Sequence, residues 1–144
     1  MYNDVIEARL KKLEEILIIL KQFKKEPKEK LQEDQIFYSA LERNLEIAIQ
    51  CILDIGNHII AIEKWRSPKD YKDIIKILGE KGVLPKNFAS KIEKMAGLRN
   101  ILVHSYLEID DEKIIELLQK LDDFTDFMKH VKLFLENKFN KNNE

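Results

Sequence analysis

Cysteine is almost missing from this chain. The single Cys51 excludes an intramolecular disulfide, and its place in an apolar helical pattern marks it as a small buried hydrophobe rather than a reactive thiol. Glycine occurs four times and proline three times. Every proline falls between apolar-periodic runs, as in a chain that breaks only between helices. No stretch alternates apolar and polar residues as strands require, and no internal repeat is present. An excess of charge of one sign is also lacking: the formal net charge is −1. That excludes broad electrostatic attraction to nucleic acid, so any such contact has to be local, made by a few placed cations. The N-terminal stretch carries Asp4 and Glu7 and has no long apolar run. Neither a signal peptide nor a transmembrane span is expected, and a cytoplasmic location is. His58 and His130 have no partners at metal-ligand spacing, and there is no Gly-rich phosphate loop, GxSxG or cysteine pair. Neither a metal site nor a cofactor is expected.

What is present suits one domain over residues 1–144, with a polar tail from about residue 140. The 144 residues, 44% of them hydrophobic and 35% charged, suffice for a core without covalent staples. The patterning predicts an all-α, up-and-down bundle of about five helices. The first runs roughly from Tyr2 to Lys25, with Ile6, Leu10, Leu13, Leu17 and Leu20 on one face. Residues 24–30, with interleaved Lys and Glu, read as a solvated connector. The second helix, roughly Gln32 to Lys64, keeps Leu41, Leu45, Ala48, Ile52, Ile55 and Ile59 in a steady four/three step. A polar stripe of Arg43, Glu46 (or Ile47), Gln50, Asp54 and Asn57 runs beside it, with His58 four residues from Asp54 on one face, and the stripe fits either a solvent face or a lined groove. Ser67 as N-cap, Pro68 at the first helical position and Asp70 in the first turn predict a short third helix that stops at Gly79 or Gly82. The fourth begins near Pro85 and runs through Gly97, where a mid-helix glycine costs up to about 1 kcal/mol. The fifth carries Ile114, Leu117, Leu118, Leu121, Phe124, Met128 and Val131.

Chemistry concentrates at the end of the fourth helix, in Arg99-Asn100-Ile101-Leu102-Val103-His104-Ser105-Tyr106. A guanidinium is a fixed cationic fork suited to phosphate, and an imidazole moves protons near neutral pH. Together they suffice to cleave an RNA phosphodiester without metal. Asn100 and His104 share a helix face, and Arg99 lies about 140° round from His104, within reach of its long stem. Spacing alone equally fits structural roles: a histidine favoured by the helix dipole, an arginine paired with Asp54 or Glu93, a tyrosine that only packs.

The stretch Met95–Tyr106, with its Arg, four residues, His, one residue, Tyr pattern, resembles the signature of the HEPN superfamily in its HepT branch. Leu41–Leu45 followed by Ile52–Ile59 resembles the long second helix of HepT-type proteins, and Ser67–Tyr71 their middle. The resemblance implies a HEPN-like helical bundle that forms a homodimer with two motifs facing one cleft. It implies a toxin of a type VII-like toxin–antitoxin pair: a metal-independent endoribonuclease, with a lean toward tRNA. Arg99 and His104 would be catalytic, with Asn100 supporting them, and Arg43, Gln50, Asp54 and His58 would line the cleft. The partner implied is an MntA-type nucleotidyltransferase antitoxin that silences the toxin by AMPylation of Tyr106. The alternative is a non-catalytic helical module that partners a nucleotidyltransferase.

Overall fold

The computed structural model describes residues 2–103 and 111–142. All regular structure among them is helical: α1 Tyr2–Lys24, α2 Lys28–Glu33, α3 Gln35–Glu63, α4 Tyr71–Glu80, α5 Lys86–Ala96, α6 Arg99–Val103, α7 Asp111–Gln119 and α8 Leu121–Asn142. The long α3 is the spine. Leu41, Leu45, Ala48, Ile49, Ile55 and Ile59 along it are fully buried, between the Leu13/Leu20 face of α1 and the Phe124, Phe127 and Val131 face of α8. Its most apolar window has mean hydropathy 1.5, long and apolar enough to cross a membrane, but 56% of that window is buried inside the bundle.

The five expected runs are present, but two are broken and one helix is added. The first addition is α2, in the second half of the stretch read as connector. Burial of Leu31 holds it, and Asp34 then caps α3 by accepting from the Phe37 amide at 3.1 Å. The fourth run divides into α5 and α6 at Gly97, which ends α5 instead of lying within one helix. A Cβ there would stand 2.6 Å from Lys72 Cε, so the bare backbone lets the α4 side chain cross the break. The fifth run divides into α7 and α8 at Lys120. Its amide turns back to Leu117 O, and the Asp123 amide to Lys120 O, both at 3.0 Å. No proline or glycine marks that break.

The start of the third helix also differs. Ser67 and Pro68 stay outside it, and Asp70 is the N-cap, accepting from the Asp73 amide at 2.8 Å. The cause is Asp73. Its carboxylate accepts both Arg66 Nη1 at 2.6 Å and Nη2 at 2.8 Å, and the Lys69 amide at 2.9 Å. That fork pins residues 66–69 as a loop and delays the helix. It also holds the Asp73 carboxyl at about 2, well below the usual carboxylate range, through the Arg66 hydrogen bonds first and the Lys69 amide as well. At the other end, α4 runs to Glu80, and Gly82 takes φ +77° just beyond it, a left-handed position that suits glycine.

Gly56 sets the spacing of α3 and α4. A Cβ on it would meet Ile74 Cγ2 at 2.7 Å and Leu78 Cδ1 at 3.1 Å. Gly56→Ala therefore has to push the two helices apart or force side chains off their rotamers. We expect a loss of about 1–3 kcal/mol, read as a lower midpoint in thermal or urea unfolding. An unchanged midpoint would show that Ile74 moves aside freely.

Candidate functional site

Arg99 opens α6 directly after the Gly97 break. The short helix therefore points its first side chain at α3 and α4 rather than continuing the course of α5. Arg99 Nε donates to Gln50 Oε1 at 3.0 Å, and Nη1 donates to Asn100 Oδ1 at 3.2 Å. The guanidinium carbon lies 4.7 Å from the centre of the Tyr71 ring, a cation–π distance. Gln50 in turn donates through Nε2 to Asp54 Oδ1 at 2.8 Å, and Asp54 Oδ2 lies 3.5 Å from Arg9 Nε on α1. One polar chain thus runs from α1 across α3 to α6.

The electrostatics of that chain decide what it can do. Among the described residues, the partners of the Arg99 guanidinium are two amide oxygens and an aromatic face. No carboxylate of the described residues comes within ion-pair distance of it. The two amides fix the fork without neutralising it. The ion pairing with Asp54 or Glu93 that spacing allowed is not found. Asp54 pairs with Arg9, and Glu93 pairs with Lys76 at 3.5 Å. The competing roles follow from reach: Gln50 stands between Arg99 and Asp54 and takes the contact first.

A groove of about 230 Å³ lies on the other side of the Gln50–Asp54 pair, between α1 and α3. Arg43, Gln50 and Asp54 of the expected polar stripe line it together with Arg9 and Lys12. The stripe thus lines a groove rather than lying on a bare solvent face. Arg43 is held there by Glu46, 3.0 Å from Nη1. His58 is on the same helix but does not line this groove. It is half-buried, and its Nε2 is enclosed without a hydrogen-bond partner. Asn100 is exposed and spends its side-chain oxygen on Arg99. His104 and Tyr106 lie outside the described residues.

Cys51 borders the groove but is not a nucleophile. Burial first, and then the nearby Asp54 charge, push its thiol up to about 11, so it stays protonated at neutral pH. Sequence reasoning missed Arg9, Lys12 and Tyr71. The first two flank the leucine face of α1 and look like ordinary solvated cations. Tyr71 falls on an inward-facing position of α4, so it reads as packing; the half-buried ring does pack, and also carries the guanidinium.

Comparison with known proteins places the chain in a family. The family model described as "Ribonuclease HepT-like" matches residues 6–131. The mRNA nuclease HepT of Shewanella oneidensis is 30% identical over 90 residues, covering 62% of this chain and 68% of that protein. The solved structure of the cytosolic protein YutE from Bacillus subtilis superposes with a TM-score of 0.81 at 28% identity, over 92% of this chain and 90% of that one. A solved tri-AMPylated HEPN toxin of Shewanella oneidensis, in complex with an MNT antitoxin, gives a TM-score of 0.82 at 24% identity over 91% and 98% of the two chains. This last likeness is one of fold.

Proposed function

The chain belongs to the HepT-like ribonuclease family, and on that premise we propose that it is a metal-independent endoribonuclease, the toxin of a type VII-like toxin–antitoxin pair acting in the cytosol. The observation that carries this reading is the Arg99 guanidinium, oriented by Gln50, Asn100 and Tyr71 and not cancelled by any carboxylate of the described residues. A fixed, uncompensated fork is what a scissile phosphate needs.

In this scheme Arg99 holds the phosphate and stabilises the charge that grows on its oxygens. One His104 removes the proton from the ribose 2′-hydroxyl, and the 2′-oxygen attacks phosphorus. A second His104 protonates the departing 5′-oxygen. The products are a 2′,3′-cyclic phosphate and a free 5′-hydroxyl. The two imidazoles come from the two protomers of a homodimer that share one cleft. Asn100 keeps Arg99 in register, and Arg9, Lys12 and Arg43 steer the strand along the groove between α1 and α3. The attacking oxygen belongs to the RNA itself, so no metal-bound water is needed. Cleavage in excess EDTA at the rate seen without it, with cyclic-phosphate ends by mass spectrometry, is the expected result. Loss of activity in EDTA, restored by a divalent cation, would overturn the scheme.

Silencing follows from the same stretch. An MntA-type nucleotidyltransferase antitoxin passes AMP from ATP to the Tyr106 oxygen, and pyrophosphate leaves. Each added nucleotide places a phosphodiester charge two residues from His104, where it repels the RNA backbone. Tyr106→Phe is expected to keep nuclease activity and to gain no mass when incubated with antitoxin and ATP. A mass gain on the Phe variant would assign the modification to another residue. The Shewanella mRNA nuclease relative makes mRNA a target to assay beside tRNA.

A further inference from the structure

A second hollow, larger than the groove between α1 and α3, adjoins Leu98. This cleft of about 460 Å³ opens between α5 and α7. Its floor is aliphatic: Met95, Leu98 and Leu117, of which Met95 and Leu117 are buried. Its rim is lysine. Lys91 and Lys120 are tied down, by Asp123 at 2.9 Å and by Glu116 at 2.7 Å. Lys94 and Lys113 have no ion-pair partner among the described residues, and they line the cleft from different helices. Their field is felt locally. The Glu116 carboxyl is held below its ordinary value by its hydrogen bond to Lys120 first, and then by the charges of Lys113 and Lys94.

We propose that this cleft is a subsite for one nucleotide of the RNA strand flanking the cleaved link, with its base on the Met95/Leu98/Leu117 floor and its phosphate between Lys94 and Lys113. The inference rests on the ribonuclease reading of Arg99 and extends it. Leu98 lines the cleft and Arg99 is the next residue, so their Cα atoms are about 3.8 Å apart. The cleft therefore adjoins the backbone at the start of α6, while the Arg99 side chain itself is turned to Gln50 and Tyr71. The cavity lies in the range of about 300–1,000 Å³ used for small planar ligands. An aliphatic floor accepts a base face, and two flexible ammonium groups accept a phosphate from either side. A net charge of −1 over the whole chain means that affinity for RNA has to come from such local clusters.

The test uses the full chain and a fluorescein-labelled single-stranded RNA with 2′-O-methyl groups throughout, which binds but offers no attacking hydroxyl. Anisotropy is followed against salt for the parent protein, for Lys94→Glu/Lys113→Glu, and for Lys24→Glu/Lys25→Glu as a charge-matched control. The cleft variant is expected to bind at least tenfold more weakly than the control. The slope of log Kd against log salt should be shallower by about 0.7 for each phosphate that the variant no longer neutralises. Lys94→Gln/Lys113→Gln should fall between parent and charge reversal, with an unchanged melting curve. Equal affinity of cleft variant and control overturns the subsite. So does loss of antitoxin capture with RNA affinity intact, because the cleft is then a protein contact. If the parent binds the oligonucleotide through Lys94 and Lys113 but cleaves no unmodified RNA, the subsite stands and the nuclease reading falls.

Discussion

Arg99→Ala is expected to reduce RNA cleavage by about 10²–10³-fold, the usual loss on removing one donor aimed at transition-state charge. The fold should survive, because Arg99 is only half-buried and opens a helix of five residues. Far-ultraviolet circular dichroism and the melting midpoint should therefore match the parent within error. Arg99→Lys should recover little. A lysine keeps the charge but cannot donate to Gln50, lean on Asn100 and lie over Tyr71 at once. Gln50→Leu gives a graded case. It leaves the guanidinium in place but removes the 3.0 Å hydrogen bond that aims it, and it strands Asp54 with Arg9. A loss of about 10–100-fold in kcat with little change in KM is expected, since misplacement by about an ångström can cost a hundredfold. Full activity of Arg99→Ala would end the proposal that this guanidinium works on phosphate.

His104→Ala should be at least as severe, with a loss of about 10²–10⁴-fold for a group that transfers the proton in the rate-limiting step. Because the scheme uses one imidazole as base and its counterpart as acid, kcat/KM of the parent should be bell-shaped in pH. Activity should fall on the acid side as the base becomes protonated and on the alkaline side as the acid loses its proton. His58→Ala and His130→Ala are the controls, since neither contacts Arg99 or lines the groove between α1 and α3. A profile that keeps its shape in His104→Ala would place the titrating groups elsewhere.

Much of the architecture is legible in the sequence because helix periodicity and burial are the same fact seen twice. Ile6, Leu13 and Leu20 on α1, and Leu41, Leu45, Ile55 and Ile59 on α3, are expected at the core and are fully buried there. What resists reading is what depends on contacts between distant residues. The loop at 66–69 looks like a helix start until Asp73 is seen gripping Arg66. Gly97 looks like a flaw in a helix until Lys72 is seen crossing it. The α7/α8 break has no local residue signal at all. At the site, the motif arginine and the stripe of Arg43, Gln50 and Asp54 are visible as spacing. The parts supplied by other helices, Arg9 and Lys12 from α1 and Tyr71 from α4, are not, because a cation or a ring at those positions has a commoner purpose. Glycine is only partly legible. Gly97 draws notice as the glycine inside a helical run and does meet Lys72 of α4, but Gly56 and Gly79, where added Cβ atoms would meet Ile74 and Ala89 at 2.7 and 2.8 Å, carry no such signal.

The chain of contacts from Arg9 through Asp54 and Gln50 to Arg99 joins residues that leave the ribosome at very different moments. The first helix is complete long before its last partner has been synthesised. A nascent chain therefore carries no aligned guanidinium until the polypeptide has grown through Arg99 and the bundle has closed. On the proposed reading of Arg99, cleavage could not begin until synthesis was nearly finished, which would leave the proposed antitoxin time to assemble.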